Sequence, residues 1–192
     1  MARIGIRWPL YRRAAPYTPT DAERHMLSEH LQYDIQMTFD LSDVLFSLFV
    51  GPPATPLDQV VRNALLESFL VRARSVVEFL WHDRRKQEDA LAADYFPPGD
   101  WKRMRPDRPQ RLNRLVTQKV GWGAMHLTYP RARTTGNPQA KQWEPVRMCA
   151  ALEPTARLFI DNVVAAQFDP HWFNDIERVL DRFKAQYGHV TP

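Results

Sequence analysis

LDQVVRNALLESFLVRARSVVEFLW, residues 57–81, contains neither glycine nor proline. One row runs through Leu57, Val61, Leu65, Ser68, Val76 and Phe79, and a second through Leu66, Phe69, Ala73, Val77 and Leu80. Spacings of three and four predict a helix, and two adjacent rows predict a wide buried arc. At 1.5 Å per residue the rod is about 37 Å long, enough to be the axis of a small domain. Asn63, Glu67, Arg74 and Glu78 share a polar stripe.

Upstream, residues 1–19 hold three prolines and no acid, and read as an extended basic arm. Residues 20–192 read as a single helical-bundle domain. Thr20-Asp21-Ala22-Glu23 is a capping box that starts a helix running to about Val50, with Leu27, Leu31, Ile35, Thr38, Leu45 and Phe49 inward. Gly51-Pro52-Pro53 ends it. Downstream, His82–Gln87 reads as a charged turn, Glu88–Phe96 as a short helix, and Trp101–Pro109 as irregular. Asp107 is placed to cap a helix over about Pro109–Leu127, with Leu112, Leu115, Val116, Val120 and Met125 inward. A helix over about Pro145–Phe168 should be kinked or divided by Pro154. The last has Asp169 as cap, Pro170 first and Gly188 past its end. No strand-like alternation occurs, so the expected fold is an all-α bundle of about five longer helices plus a short one.

The chain of 192 residues is long enough for a real core. No run of about 18 apolar residues appears, so no membrane span is expected. A lone cysteine, Cys149, cannot form an internal disulfide and reads as a small core residue in a cytoplasmic protein. Charge is uneven: residues 98–147 carry eleven basic and three acidic side chains, a local +8, leaving −4 for the rest of a +4 chain. That asymmetry bears on partners rather than fold.

His25 and His30 are five residues apart, which points them about 140° apart on a helix, away from ligand spacing. His82 and His126 lie on other elements, and no repeated Glu-x-x-His occurs, so neither metal nor cofactor is expected. No G-x-S-x-G turn or phosphate-binding glycine loop occurs. The basic segment interleaves Arg103, Arg105, Arg108, Arg111, Arg114 and Arg133 with Trp101, Trp122 and Trp143. Guanidinium groups pair with phosphates and exposed indoles stack on unpaired bases, so this segment is the candidate RNA-binding surface, with Trp122 as its stacking residue.

Asn63–Leu70, Ala73-Arg74-Ser75, Asp89–Phe96 and His126–Arg131 together resemble a group of bacterial helical proteins similar to the HEPN-like bundles of toxin–antitoxin and phage-defence systems. The resemblance spans about residues 57–131 and is one of pattern. It implies a homodimer and a metal-independent endoribonuclease. In HEPN ribonucleases an arginine and a histidine share a helix: the histidine handles the 2′-hydroxyl proton and the arginine the phosphorane charge. His126 is the matching position. The pattern departs upstream, where Lys119 rather than an arginine stands seven residues before it. Arg131 just beyond, or Arg74 from the central helix, would have to supply the fork. A literal Arg24-His25-x-x-x-x-His30 match lies outside the resemblance.

Two functions follow as the leading expectations, with a small metallo-bundle using His82, His126 and a third histidine as the remaining alternative. One is an RNA-directed HEPN-like protein, in its stronger form an endoribonuclease with an antitoxin as partner. The other is a non-catalytic module that dimerises or docks a protein through the apolar arcs of its first two helices.

Overall fold

The computed structural model of the chain describes residues 18–82, 89–117, 143–164 and 167–191, apart from the side chains of Arg114, Val116 and Thr117. Among these residues every regular element is helical. Four long helices, α1 (Asp21–Leu48), α2 (Pro56–Trp81), α5 (Pro145–Asn162) and α6 (Pro170–Tyr187), form the bundle. Two short ones, α3 (Asp100–Met104) and α4 (Gln110–Thr117), lie between α2 and α5. The expected arm up to residue 17, most of the charged turn, residues 118–127 of the predicted fourth helix and the loop after it lie outside the described residues.

Helix α1 starts as its sequence dictates. The Glu23 N–H donates to the Thr20 hydroxyl and the Thr20 N–H to the Glu23 carboxylate. A second capping box, Thr55 with Asp58, starts α2 with Pro56 in its first turn. Between them Arg62 donates to the Gly51 carbonyl at 2.6 Å and lies over the Phe49 ring, holding the hairpin turn. Phe49 thus covers the turn at the surface rather than pointing inward as its spacing suggested.

Helix α2 is buried only in part. Phe69, Ala73, Val76, Val77, Phe79 and Leu80 enter the core, whereas Leu57 and Val61 at the start of the first row stand in solvent. The wide buried arc is therefore confined to the C-terminal half, where α4 and α5 lie against it as well as α1.

An aromatic plug closes that end. Phe159 of α5 meets Phe79, Tyr95, Phe96 and Trp101 edge-on, with ring centroids 5.1–5.9 Å apart. Tyr95 closes a single 3₁₀ turn, Ala92–Tyr95, where the sequence suggested a short α-helix. Gly99, at φ 85°, turns the chain into α3, a helical turn in a stretch expected to be irregular. Trp101 is fixed there by burial, and its indole N–H donates to the Leu80 carbonyl at 2.8 Å.

Helix α5 runs through Pro154 undivided and stops at Asn162, short of the expected Phe168. Pro154 is exposed. Asn162 folds its side-chain amide back onto the Leu158 carbonyl at 2.9 Å, adding a second donor to the last turn. Phe168 then returns to the core as a separate anchor. Helix α6 is capped by Asp169, which accepts from the His171 N–H at 2.8 Å. Arg157 joins α5 to α6 through Asp181 at 2.6 Å, and Arg182 joins α6 to α1 through Asp40. No described helix is long and apolar enough to cross a membrane.

Candidate functional site

Of the four residues expected to carry catalysis, three, Lys119, His126 and Arg131, lie outside the described residues. The fourth, Arg74, is half-buried on α2 and bonds Glu78 one turn later at 2.9 Å. That pairing spends its charge within its own helix.

The basic segment is built differently from an open phosphate-binding surface. Arg105 donates to the Leu80 carbonyl at 2.8 Å, the acceptor that Trp101 also reaches. Trp81 reaches forward to the Pro106 carbonyl at 3.0 Å. The last carbonyls of α2 have no acceptor role within their helix, and residues 101–106 supply partners for the C-terminal end. Arg108 donates to Asn113 at 2.6 Å, and Arg111 lies 3.4 Å from Glu144. Arg103 is exposed beside Asp100, its partner at 2.5 Å, and Lys102 is exposed next to it. Arg105, Arg108 and Arg111 are therefore struts, and Trp101 is a core residue rather than a base-stacking one. Trp122 and Arg133 lie outside the described residues, as does the side chain of Arg114.

Among the described residues no three His, Cys, Asp or Glu side chains gather as metal ligands. The His25 ring approaches Asp169 at 3.4 Å, tying the starts of α1 and α6, and His82 follows the end of α2. Cys149 is fully buried, with its thiol 3.6 Å from the Thr38 carbonyl. Burial pushes that thiol far above its ordinary range, the opposite of what a nucleophile needs. Burial also raises Asp43, and the Tyr187 hydroxyl bonded to it opposes that shift.

A cavity of about 500 Å³ opens at the start of α1, lined by Pro19, Arg24, Tyr95, Phe96, Val164 and Gln167 among others. Its polar groups are engaged elsewhere. Arg24 donates to the Pro19 and Asp94 carbonyls, and the Tyr95 hydroxyl donates to the Arg24 carbonyl. The unpartnered Arg24 Nε and Gln167 Oε1 are sealed from water, so neither is presented to a ligand in the cavity.

The surface feature that packing leaves unexplained lies on the outside of the α1–α2 hairpin. Met26, Tyr33 and Val44 on α1, with Leu57, Val61 and Val71 on α2, are 39% to 69% exposed. Arg72 bridges the two helices. It bonds Asp34 at 2.8 Å and lies over the Tyr33 ring, 5.0 Å from its centroid. In an antiparallel pair that register sets Val71 beside Tyr33 and Val61 beside Val44. Both apolar rows thus lie on the side away from α5. Sequence reasoning expected apolar arcs on the first two helices but assigned Leu57 and Val61 to the buried row. Leu57, Val61, Ala64, Ser68, Val71 and Ser75 follow one another at four, three, four, three and four residues.

No known protein family, curated protein or solved structure matches this chain.

Proposed function

We propose that the protein is a helical interaction module that docks a protein partner through the outer face of the α1–α2 hairpin, without chemistry of its own. The observation that carries this is the set of exposed apolar side chains on the two helices, Met26, Tyr33 and Val44 with Leu57, Val61 and Val71. Exposed apolar surface of this kind, gathered on one pair of helices, marks interaction sites. The test is a photo-crosslinking residue placed at Val61 in the full chain, in cells of its native host. A discrete protein adduct is expected there and not with the same probe at Lys184, exposed on α6. Absence of any adduct at Val61 would sink the proposal.

The +8 balance over residues 98–147 favours a second reading, an RNA-directed HEPN-like protein, with endoribonuclease activity in a toxin or phage-defence setting as its stronger form. Lys102 and Arg103 support it as exposed cations, whereas the three struts add little. RNA affinity that falls steeply between low and moderate salt would support contact with phosphates. The stronger form requires 2′,3′-cyclic phosphate ends in EDTA, lost in His126→Ala. Equal cleavage by that variant would remove the catalytic role of His126.

A further inference from the structure

We infer that the turn of the α1–α2 hairpin enters the surface of a lipid bilayer and seats the bundle on it by one end. This contact is separate from the docking face, which runs along the sides of the two helices.

The turn is an apolar end. Residues 44–61 carry one ionisable side chain in eighteen, Asp58. Phe46, Phe49, Val50, Leu57 and Val60 are 45% to 81% exposed there, and of these only Leu57 also belongs to the docking face. Helix α6 runs beside α1 in the same direction, from Asp169 near His25 to Tyr187, whose ring meets Phe46 edge-on at 5.9 Å. It ends at Tyr187, whereas α1 continues to Leu48 and the turn lies beyond. At helical rise Val50 stands about 6 Å past Phe46. Interfacial segments enter the boundary between headgroups and acyl chains to about that depth.

The handling of polar groups favours lipid over a protein groove. Hydrocarbon offers no partner to a backbone N–H or C=O, so a segment that enters it must satisfy its own. Pro52, Pro53 and Pro56 have no N–H. The Thr55 N–H donates to the Asp58 carboxylate at 2.9 Å, and the Asp58 N–H to the Thr55 hydroxyl at 3.1 Å. Arg62 donates to the Gly51 carbonyl at 2.6 Å and to the Pro52 carbonyl at 3.4 Å. The Ser47 hydroxyl donates to the Asp43 carbonyl at 3.1 Å. The carboxylate within the turn and the cation nearest to it are thus engaged by the turn's own backbone.

Charge one level further back suits anionic headgroups. Arg182 and Lys184 are exposed near the end of α6. Asp40 pairs with Arg182, and Glu144 with Arg147 and Arg111. Glu67, exposed on α2, stands about 10 Å behind Val60, outside the inserted depth.

The experiment is flotation of the full chain with vesicles of phosphatidylcholine and phosphatidylglycerol. Cys149 is buried, so Val50→Cys takes a polarity-sensitive thiol dye at that position alone. The chain should float, and the dye emission should shift to the blue on vesicle addition. Val50→Asp combined with Val60→Asp should weaken vesicle binding about tenfold or more. Both positions are exposed, so the helical circular-dichroism spectrum should not change. Val164→Asp, beside Thr18 at the opposite end of α1, should bind as wild type. A wild-type chain that stays behind when vesicles float overturns the inference. So does flotation with no dye shift at Val50, or flotation that the Val50/Val60 variant retains in full. A chain that crosslinks to a protein from Val61 but does not float overturns the lipid contact and leaves the docking role standing.

Discussion

Arg72 and Asp34 bond at 2.8 Å across the hairpin, linking α1 to α2 at a fixed register. The same guanidinium covers the Tyr33 ring, so a single side chain holds together an ion pair and a cation–π contact on the face proposed to dock. The pair is partly exposed, and solvent screening limits what it contributes.

Replacing Arg72 with Ala should lower unfolding free energy by about 1 kcal/mol, the sum of a screened pair and a weak ring contact. Urea denaturation at a concentration where the chain is monomeric measures it. A loss above about 3 kcal/mol would mean that Arg72 does more than clamp two helices.

Arg105→Met should affect stability before it affects any RNA binding. The guanidinium donates to the Leu80 carbonyl at the end of α2, and losing a charged donor there should cost about 1.5–3 kcal/mol. RNA affinity, corrected for the folded fraction, should stay within about twofold, where loss of one phosphate contact would also flatten the salt slope by about one. A flatter salt slope in Arg105→Met would return this residue to the nucleic-acid surface.

Phe159→Ala should be among the most damaging single changes, at about 3–5 kcal/mol. Five aromatic partners, Phe79, Tyr95, Phe96, Trp101 and Phe168, meet at that ring, and none can collapse into the space without losing its own edge-on contacts. Phe159→Leu should recover part of the loss. Equal stability of wild type and Phe159→Ala in guanidinium titrations would remove the aromatic plug as the anchor of α3.

Cys149 gives stability a pH dependence of known sign. Its thiol is pushed up from 9.0 by burial, so above pH 9 the unfolded chain loses a proton that the folded chain keeps. The stabilisation is full below pH 9 and declines as pH rises, by up to about 1.4 kcal/mol per unit. Between pH 9 and 10, before Tyr95 and Tyr187 add their own burial-raised phenols, the wild type should lose stability faster than Cys149→Ala. Parallel curves would show that the thiol is not sealed. Thiol reagents at pH 8 should likewise react only after denaturant is added.

Much of the architecture was legible along the chain. Thr20 with Glu23, Gly51-Pro52-Pro53, and Asp169 with Pro170 mark where helices begin and end because capping and backbone restriction act within four residues. The 3.6-residue period of Phe69 to Leu80 likewise identifies a face that must be covered. Cys149 as a core residue also followed from its apolar surroundings in sequence.

The sites were far less legible. Arg105, Arg108 and Arg111 look like a phosphate-binding row until the carbonyl and side-chain acceptors that occupy them are seen. Leu57 and Val61 look like core until they are found exposed. Trp101, 21 positions from Leu80, bonds it all the same.

Local sequence by itself determined an all-helical chain, its helix starts and the period of its apolar rows. Only the tertiary structure decided which rows are buried, which cations are already paired, and that two seams share one uncovered side. The reason is that propensity and capping depend on neighbours within a turn or two of helix. Burial and charge pairing depend instead on elements tens of residues away, whose arrival the periodicity of a single helix does not encode.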